Sequence, residues 1–322
     1  MSASYPPSPR AFLAVLVGLS AIALSACTSS VPSSQTGAST GSDSGFGSQS
    51  QSGEDQSQSR GEVDAPMSGP VATWLDDPQE QEVIAFGPGV ADVEEVWARY
   101  VSVTPTAWGL VVPGVITHMD SDSIALTLDA CGGPGGSGFD SRLIDGLIER
   151  QIPATLFLNE RWIMSNYGIA QALAANPLFQ IENHGTQHKP LSVQGNAAYG
   201  IEGTASVAEA IEEVWSNRQV ISDLTGTPPK FFRSGTAHYD DVAVQVVDAL
   251  GERVVGFTVN ADAGATYSAE QVHAAVVNAA PGSILIAHMN QPQGGTADGL
   301  LAGIDDLLAR GIRFSWIENP VG

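Results

Sequence analysis

The chain has 322 residues, with 13 Lys and Arg against 35 Asp and Glu, a formal net charge of −22. A surface of that sign repels nucleic acid and anionic polymers at long range, which excludes a nucleic-acid partner but leaves a neutral or amine-bearing glycan open. Two Cys cannot staple a chain of this size, so its stability has to come from a buried core.

The opening residues read as a targeting segment. Arg10 precedes an apolar run from Ala11 to Leu24, which has the length of a signal-peptide core and is short for a membrane span. The run ends in Leu24-Ser-Ala-Cys27, which resembles a bacterial lipobox. That resemblance implies a signal peptide over 1–27, cleavage before Cys27, lipid on its thiol and an extracytoplasmic, membrane-anchored protein. The plainer alternative is an ordinary secretory signal with an incidental Cys. Residues 28–70 are rich in Ser, Gly and Gln and cannot bury enough apolar surface to offset their ordering entropy, so a disordered tether is expected there.

Residues 71–118, with Trp74, Trp97 and Trp108, read as a structural extension with a short helix near Val93–Tyr100 and one or two strands after it. From Ser121 the pattern becomes regular. Strands are expected at 123–129, 154–158, 179–183, 231–233, 253–258, 283–288 and 313–317. Helices are expected near 140–150, 167–175, along a face carrying Val207, Ala210, Ile211, Val214, Ile221 and Leu224, near 240–250, from Ala269 to Asn278 behind a Ser268 cap, and near 297–309. Gly226 and Pro228-Pro229 end the long helix. Alternating strands and helices imply right-handed crossovers and a parallel sheet. Seven such strands suggest an α/β fold that is a barrel one unit short of eight, with an open doubly wound sheet as the alternative. The glycine run Gly132–Gly138 lacks the spacing of a phosphate or dinucleotide loop and reads as the rim of a site.

The polar residues equipped for chemistry share one phase. Asp129 closes Ile124-Ala-Leu-Thr-Leu-Asp129, His184 and His188 follow Phe179-Gln-Ile-Glu-Asn183, and Arg233 follows Phe231-Phe232. Asp262 comes after Val254-Val-Gly-Phe-Thr258, and His288 closes Ile284-Leu-Ile-Ala-His288. In parallel α/β barrels the C-terminal strand ends form one face, and active sites are built there. His184 and His188, four residues apart, would share one face of a helical turn and suit one divalent metal. Arg233 is the obvious partner for Asp129. A carboxylate such as Asp262 that orients His288 makes it a good general acid; taken alone, Asp262 before Ala263-Gly264 could equally form a turn. His238 could line a groove or be a plain loop residue.

Thr127-Leu-Asp129, His184-x-x-x-His188, Phe232-Arg233 and Gly282-Ser-Ile-Leu-Ile-Ala-His288, in this order, resemble the motifs of the polysaccharide deacetylases, the NodB-homology domains of carbohydrate esterase family 4. Ile152-Pro-Ala-Thr-Leu-Phe-Leu158 resembles that family's second strand. The resemblance spans about 121–318 and implies a distorted (β/α)7 barrel, as the catalytic domain over 119–322. It also implies a divalent metal, with Zn²⁺ first in line, and removal of acetyl groups from an N-acetylated polysaccharide. Carried over by residue, Asp129 is the base, His184 and His188 are metal ligands, Arg233 holds Asp129, and His288 is the acid supported by Asp262.

Three positions depart from the family. Its first motif usually reads Asp-Asp, the second Asp binding metal, whereas here it is Asp129-Ala130-Cys131; Ser234-Gly235-Thr236 replaces a Pro-aromatic pair; and Asn260-Ala-Asp262-Ala-Gly264 lacks the usual Trp. The third metal ligand is then Asp129 in a second role, or Cys131, or there is no metal. The functional alternatives are a non-catalytic glycan-binding lipoprotein that keeps the groove, a metal-free amidohydrolase, and a hydrolase of a small cyclic amide.

Overall fold

The computed structural model describes residues 92–318 and 320–321. The expected signal segment with Cys27, the tether and the start of the extension fall outside the described residues. In chain order, α1 is Val93–Tyr100, β1 Trp108–Gly109, β2 His118–Met119, β3 Ser123–Ala130, α2 Ser141–Glu149, β4 Ala154–Leu158, α3 Glu160–Ser165 and α4 Tyr167–Ala174. Then come β5 Phe179–Asn183, α5 Val207–Thr225, β6 Phe231–Phe232, β7 Tyr239–Asp240, α6 Asp241–Ala249, β8 Arg253–Val254 and β9 Val259–Asn260. The chain finishes with α7 Ala269–Val277, β10 Ile284–His288, α8 Thr296–Ala309, β11 Arg313–Ser315 and β12 Pro320–Val321.

The sheet runs β8-β6-β5-β4-β3-β10-β9, with β11 added to β3, and the pairings between these strands are parallel. Its first and last members, β8 and β9, belong to one extended segment, Arg253–Asn260. The strand expected at 253–258 is therefore two short pieces. The first pairs with β6 and the second with β10, with Gly256 between them. That break curls the sheet back on itself and yields a distorted barrel of eight strand segments, two of them the halves of one broken strand. Met119 donates to the Gly282 carbonyl, and across the seam Ile116 donates to the Val254 carbonyl and accepts from the Gly256 amide.

Side chains alternate across a strand, and the barrel shows this phase cleanly. Leu126, Leu128 and Ala130 of β3 join Leu156, Leu158, Leu285 and Ala287 in the apolar cluster beneath α2, α7 and α8. The intervening Ala125, together with Phe157, Phe231 and Ile284, packs with Ile116, Met119 and Ile317 in a smaller cluster that plugs the barrel floor. Residues one or two steps further along those inward rows emerge at the barrel mouth, and they include Thr127, Asp129 and His288.

The helix ends follow their local chemistry. The Ser206 hydroxyl accepts from the Glu209 amide at the start of α5, and Gly226 closes it in the left-handed conformation. Ser268 and Gln271 form a reciprocal capping box on α7. Helix α3, opened by an Asn159 side chain that accepts from Arg161, has no counterpart in the sequence reading, being six residues long and without a full apolar period. Ahead of the regular part, Val96, Val112 and Val115 pack into a cluster with α5 and α6. The Asp241 carboxylate accepts from the Thr106 and Ala107 amides, and β1 pairs with β7.

Candidate active site

Asp129 is buried, and its Oδ1 accepts from an Arg233 terminal nitrogen at 2.8 Å. The same nitrogen of Arg233 reaches the Thr127 hydroxyl at 2.8 Å. Its other nitrogens donate to the carbonyls of Val255 at 3.2 Å and Gly256 at 2.8 Å. The guanidinium lies over the Phe157 ring, 4.2 Å from its centroid. Arg233 is thus a fully buried cation whose fork is spent on one carboxylate, one hydroxyl and two carbonyls. The break at Gly256 that closes the barrel also turns those carbonyls toward it.

His184 and His188 meet edge to face, ring centroids 5.0 Å apart, but not on a helix. Residues 184–188 form a loop bent by positive φ at Gly185 (76°) and His188 (61°). Buried Glu213 of α5 clamps it: its carboxylate accepts from the amides of Gln187 at 2.9 Å and Lys189 at 3.1 Å. Burial, resisted by those amides, pushes the Glu213 carboxyl up to about 7. A Cβ on Gly185 would sit 2.4 Å from Glu213 Oε1, and one on Gly235 would sit 2.3 Å from the His188 carbonyl oxygen. At Gly235 the His188 backbone leaves no room for a side chain. Glu213 was legible only as a carboxylate on the apolar face of α5, beside Ala210, Ile211 and Val214.

His184 Nδ1 donates to the Arg233 carbonyl at 2.8 Å, which leaves the Nε2 lone pair free to bind. Nε2 of both His184 and His188 is buried with no hydrogen-bond partner among the described residues. The ligand atoms of Cys131, His184 and His188 lie within 4.8 Å of one another, and Asp129 Oδ2 stands 3.7 Å from His184 Nε2. Two unpartnered imidazole nitrogens, a thiol and a nearby carboxylate fit one divalent cation of the zinc type. Burial opposes charge on His184, but Asp129, Cys131 and the Arg233 carbonyl outweigh it and raise its pKa. The same negative potential favours a metal cation. Burial likewise opposes ionisation of the Cys131 thiol, yet the adjoining imidazoles of His188, His184 and His288 bring it well below its ordinary value.

On the neighbouring strand β10, where His288 is in register with Asp129, His288 Nδ1 bonds Asp262 Oδ1 at 2.9 Å. Asp262 is fully buried and also accepts from the His288 amide at 2.7 Å, the Thr296 hydroxyl at 3.0 Å and the Gly264 amide at 3.2 Å. It therefore both makes its turn and orients the imidazole. Burial works against a charged His288, but Asp262 and then Cys131 raise its pKa well above the ordinary value. The carboxyl of Asp262 is lowered in turn, His288 overcoming its burial.

Asp129, Cys131, His188 and His288 line one open cavity of about 420 Å³, walled by the glycine rim Gly132–Gly136, Arg161, Tyr199 and Asn260. That size suits a sugar unit or two. His184, Arg233 and Asp262 do not line the cavity but contact residues that do: His184 packs on His188, Arg233 bonds Asp129 and Asp262 bonds His288. His238 does not line the cavity. It packs behind Tyr199 and against Trp108, centroids 5.0 and 5.8 Å away, so it supports the wall.

Residues 117–255 match the family model described as polysaccharide deacetylase; Asp262 and His288 lie past that match. Among solved structures, wild-type BA3943, a CE4 family pseudoenzyme from Bacillus anthracis, aligns with a TM-score of 0.54 at 20% identity over 64% of this chain and 68% of its own. The Bc1960 peptidoglycan N-acetylglucosamine deacetylase aligns with a TM-score of 0.53 at 21% identity over 63% of this chain and 91% of its own. A family 4 carbohydrate esterase from Streptomyces lividans aligns at 0.51 and 19% over 63% of this chain and 98% of its own. No curated protein matches the sequence. Residues 117–255 are therefore similar to the polysaccharide deacetylases, and the chain has the fold seen in the family 4 carbohydrate esterase structures.

Proposed function

We propose that this chain is a metal-dependent hydrolase that removes acetyl groups from an N-acetylated glycan of the cell envelope, peptidoglycan or a related polymer. It works outside the cytoplasm from a lipid anchor on Cys27. The observation that carries the reading is the convergence, in one cavity, of an Arg-held carboxylate beside two unpartnered imidazoles and, on the neighbouring strand, an Asp-held imidazole. A simple binding groove has no use for a base and an acid set side by side.

A divalent cation held by His184 and His188 supplies Lewis acidity toward the amide carbonyl and lowers the pKa of the attacking water. Asp129 takes a proton from that water through Oδ2, the oxygen that Arg233 leaves free. Arg233 holds and aims the carboxylate through Oδ1. His288, whose protonated form Asp262 favours at Nδ1, gives its Nε2 proton to the departing amine. Thr296 and the Gly264 amide fix Asp262 and hence the ring.

Acetate release from N-acetylated oligosaccharides and from peptidoglycan tests this. His288→Ala is expected to lower kcat by about 10²- to 10⁴-fold, the usual worth of a general acid, while leaving metal content intact. His184→Ala should lower both. The second reading, glycan binding without turnover, is favoured by Ala130 at the position of the usual second Asp and by the pseudoenzyme among the structural neighbours. Acetate release absent from every such substrate at saturating Zn²⁺ would select it.

A further inference from the structure

The first motif departs from its family at the residue expected to bind metal, and the strand geometry shows what stands in its place. On β3 the even positions Leu126, Leu128 and Ala130 face the helices; Ala130 is fully buried in the outer apolar cluster. The odd positions face the barrel. Ala125 packs on the floor, Thr127 and Asp129 bond Arg233, and Cys131 is next on the same row. Past it the chain turns away, with φ of 69° at Gly132 and 75° at Gly133, and the thiol is left at the mouth. A Cβ on Gly132 would lie 2.6 Å from the Trp162 amide nitrogen, so this turn brings the backbone hard against α3.

Three ligand atoms converge there within 4.8 Å: Cys131 Sγ and one nitrogen each of His184 and His188. His184, 1% exposed, has its Nδ1 tied to the Arg233 carbonyl, and Nε2 of both imidazoles is buried without a hydrogen-bond partner. Asp129 is poorly placed to be the third ligand. One of its oxygens is spent on Arg233 at 2.8 Å, and binding metal with the other would leave the reaction without a base.

We propose that Cys131 is the third protein ligand, so that the site is a thiolate with two imidazoles rather than a carboxylate with two imidazoles. The proposal rests on the metal-dependent reading above and specifies its ligand set. Binding exchanges the thiol proton for the cation: Cys–SH and M²⁺ give Cys–S–M⁺ and H⁺. Sulfur from Cys131 leaves Asp129 free to take a proton from water. A soft donor also sets selectivity, favouring Zn²⁺ and Co²⁺ over Mg²⁺, Ca²⁺ and Mn²⁺. Oxidation of the thiol would remove a ligand, which gives the site a sensitivity that an oxygen ligand lacks.

Titration of the full chain with Co²⁺, followed by visible and near-ultraviolet absorption, decides the matter independently of activity. The expected wild-type result is one Co²⁺ per chain with an intense sulfur-to-cobalt charge-transfer band beside the weaker d–d bands. Cys131→Ser should lose the charge-transfer band and weaken Co²⁺ by at least about tenfold, the low end of what even an outer hydrogen-bond partner is worth. Cys131→Asp should bind Co²⁺ with d–d bands alone, showing that the position supports a ligand of either kind. His184→Ala should lose both sets of bands. A wild type that fills with Co²⁺ but shows no charge-transfer band overturns the thiolate ligand and leaves the metal-dependent reading standing. So does a Cys131→Ser variant that binds as tightly as wild type. A wild type that binds neither Co²⁺ nor Zn²⁺ and still releases acetate in chelator overturns both. Acid-quenched chain acetylated on Cys131 would then mark the thiol as a nucleophile instead.

Discussion

Arg233 has no solvent, and four of the five N–H donors of a guanidinium are taken: they go to Asp129, Thr127 and two carbonyls, and Phe157 covers its face. Removing it strands a buried carboxylate, and breaking such a pair from one side costs about 3–5 kcal/mol. Arg233→Ala is expected to lose that much stability in urea unfolding. Arg233→Lys should recover only part of it, since an ammonium keeps the charge but not the planar fork. The Asp262–His288 pair makes a pH prediction. Asp262 raises the His288 pKa above 6.5 and is itself held below 3.8. The acid form of His288 therefore persists to higher pH than an isolated imidazole would allow. In Asp262→Asn the alkaline limb of the kcat profile should move to lower pH. The pair's stabilisation is present in full between the unfolded values of the two groups. It is lost on the alkaline side as pH rises through the folded His288 pKa, and on the acid side as pH falls through the folded Asp262 pKa. An Asp262→Asn profile that overlays the wild type would show that His288 is not the acid whose titration limits turnover. At this scale the sequence named Asp129, Arg233, Asp262 and His288, because each lies at or just past a strand end. Thr127, Phe157 and the Val255 and Gly256 carbonyls were beyond it, since a stacked ring or a main-chain oxygen leaves no mark in residue type.

The loop that carries both imidazoles shows how an element is misread and why. Spacing of four residues suits a helical turn, and the sequence reading took it so. In the structure, left-handed φ at Gly185 and His188 makes a bend instead, and Glu213, far along α5, supplies the acceptor that a helix would have found in its own carbonyls. A contact between residue 213 and residues 187 and 189 is invisible to local pattern. The broken strand at 253–260 is the same kind of error: a continuous apolar run conceals the break at Gly256 that lets its two halves pair with different neighbours. Gly235 offers the test of the loop. A Cβ there would meet the His188 carbonyl oxygen at 2.3 Å and its ring Cγ at 2.5 Å. Gly235→Ala must push the His188 end of the loop away from Cys131. The expected result is a stability loss of about 1–3 kcal/mol, the range for overpacking a filled site, accompanied by weaker Zn²⁺ binding measured by competition with a chromophoric chelator. Loss of stability with unchanged metal affinity would detach the loop position from the metal site.

At the scale of the whole molecule, the family match begins at residue 117, but the fold does not. Val96, Val112, Val115 and Ile116 are all buried. Trp108 and Gly109 pair with β7, and Ile116 bridges Val255 at the seam where β8 parts from β9. The sequence reading treated this stretch as an extension packed on the domain, and composition could say no more, because its strands are two residues long and its apolar residues lack a period. The structure gives it a larger role in holding the barrel closed. Burying four side chains of this size is worth about 6–12 kcal/mol as an upper figure, at roughly 1.5–3 kcal/mol each, against about 5–15 kcal/mol for the entire stability of a typical domain. A chain beginning at Thr117 would also leave the apolar cluster under α5 and α6 open to water. It is expected to lose its cooperative melting transition and to aggregate, whereas a chain beginning at Val71 should melt as the longer one does. Thermal denaturation followed by circular dichroism compares the two directly. Equal melting of the Thr117 chain would mean that the seam closes without residues 92–116, and that the barrel is specified by the residues from Thr117 onward alone.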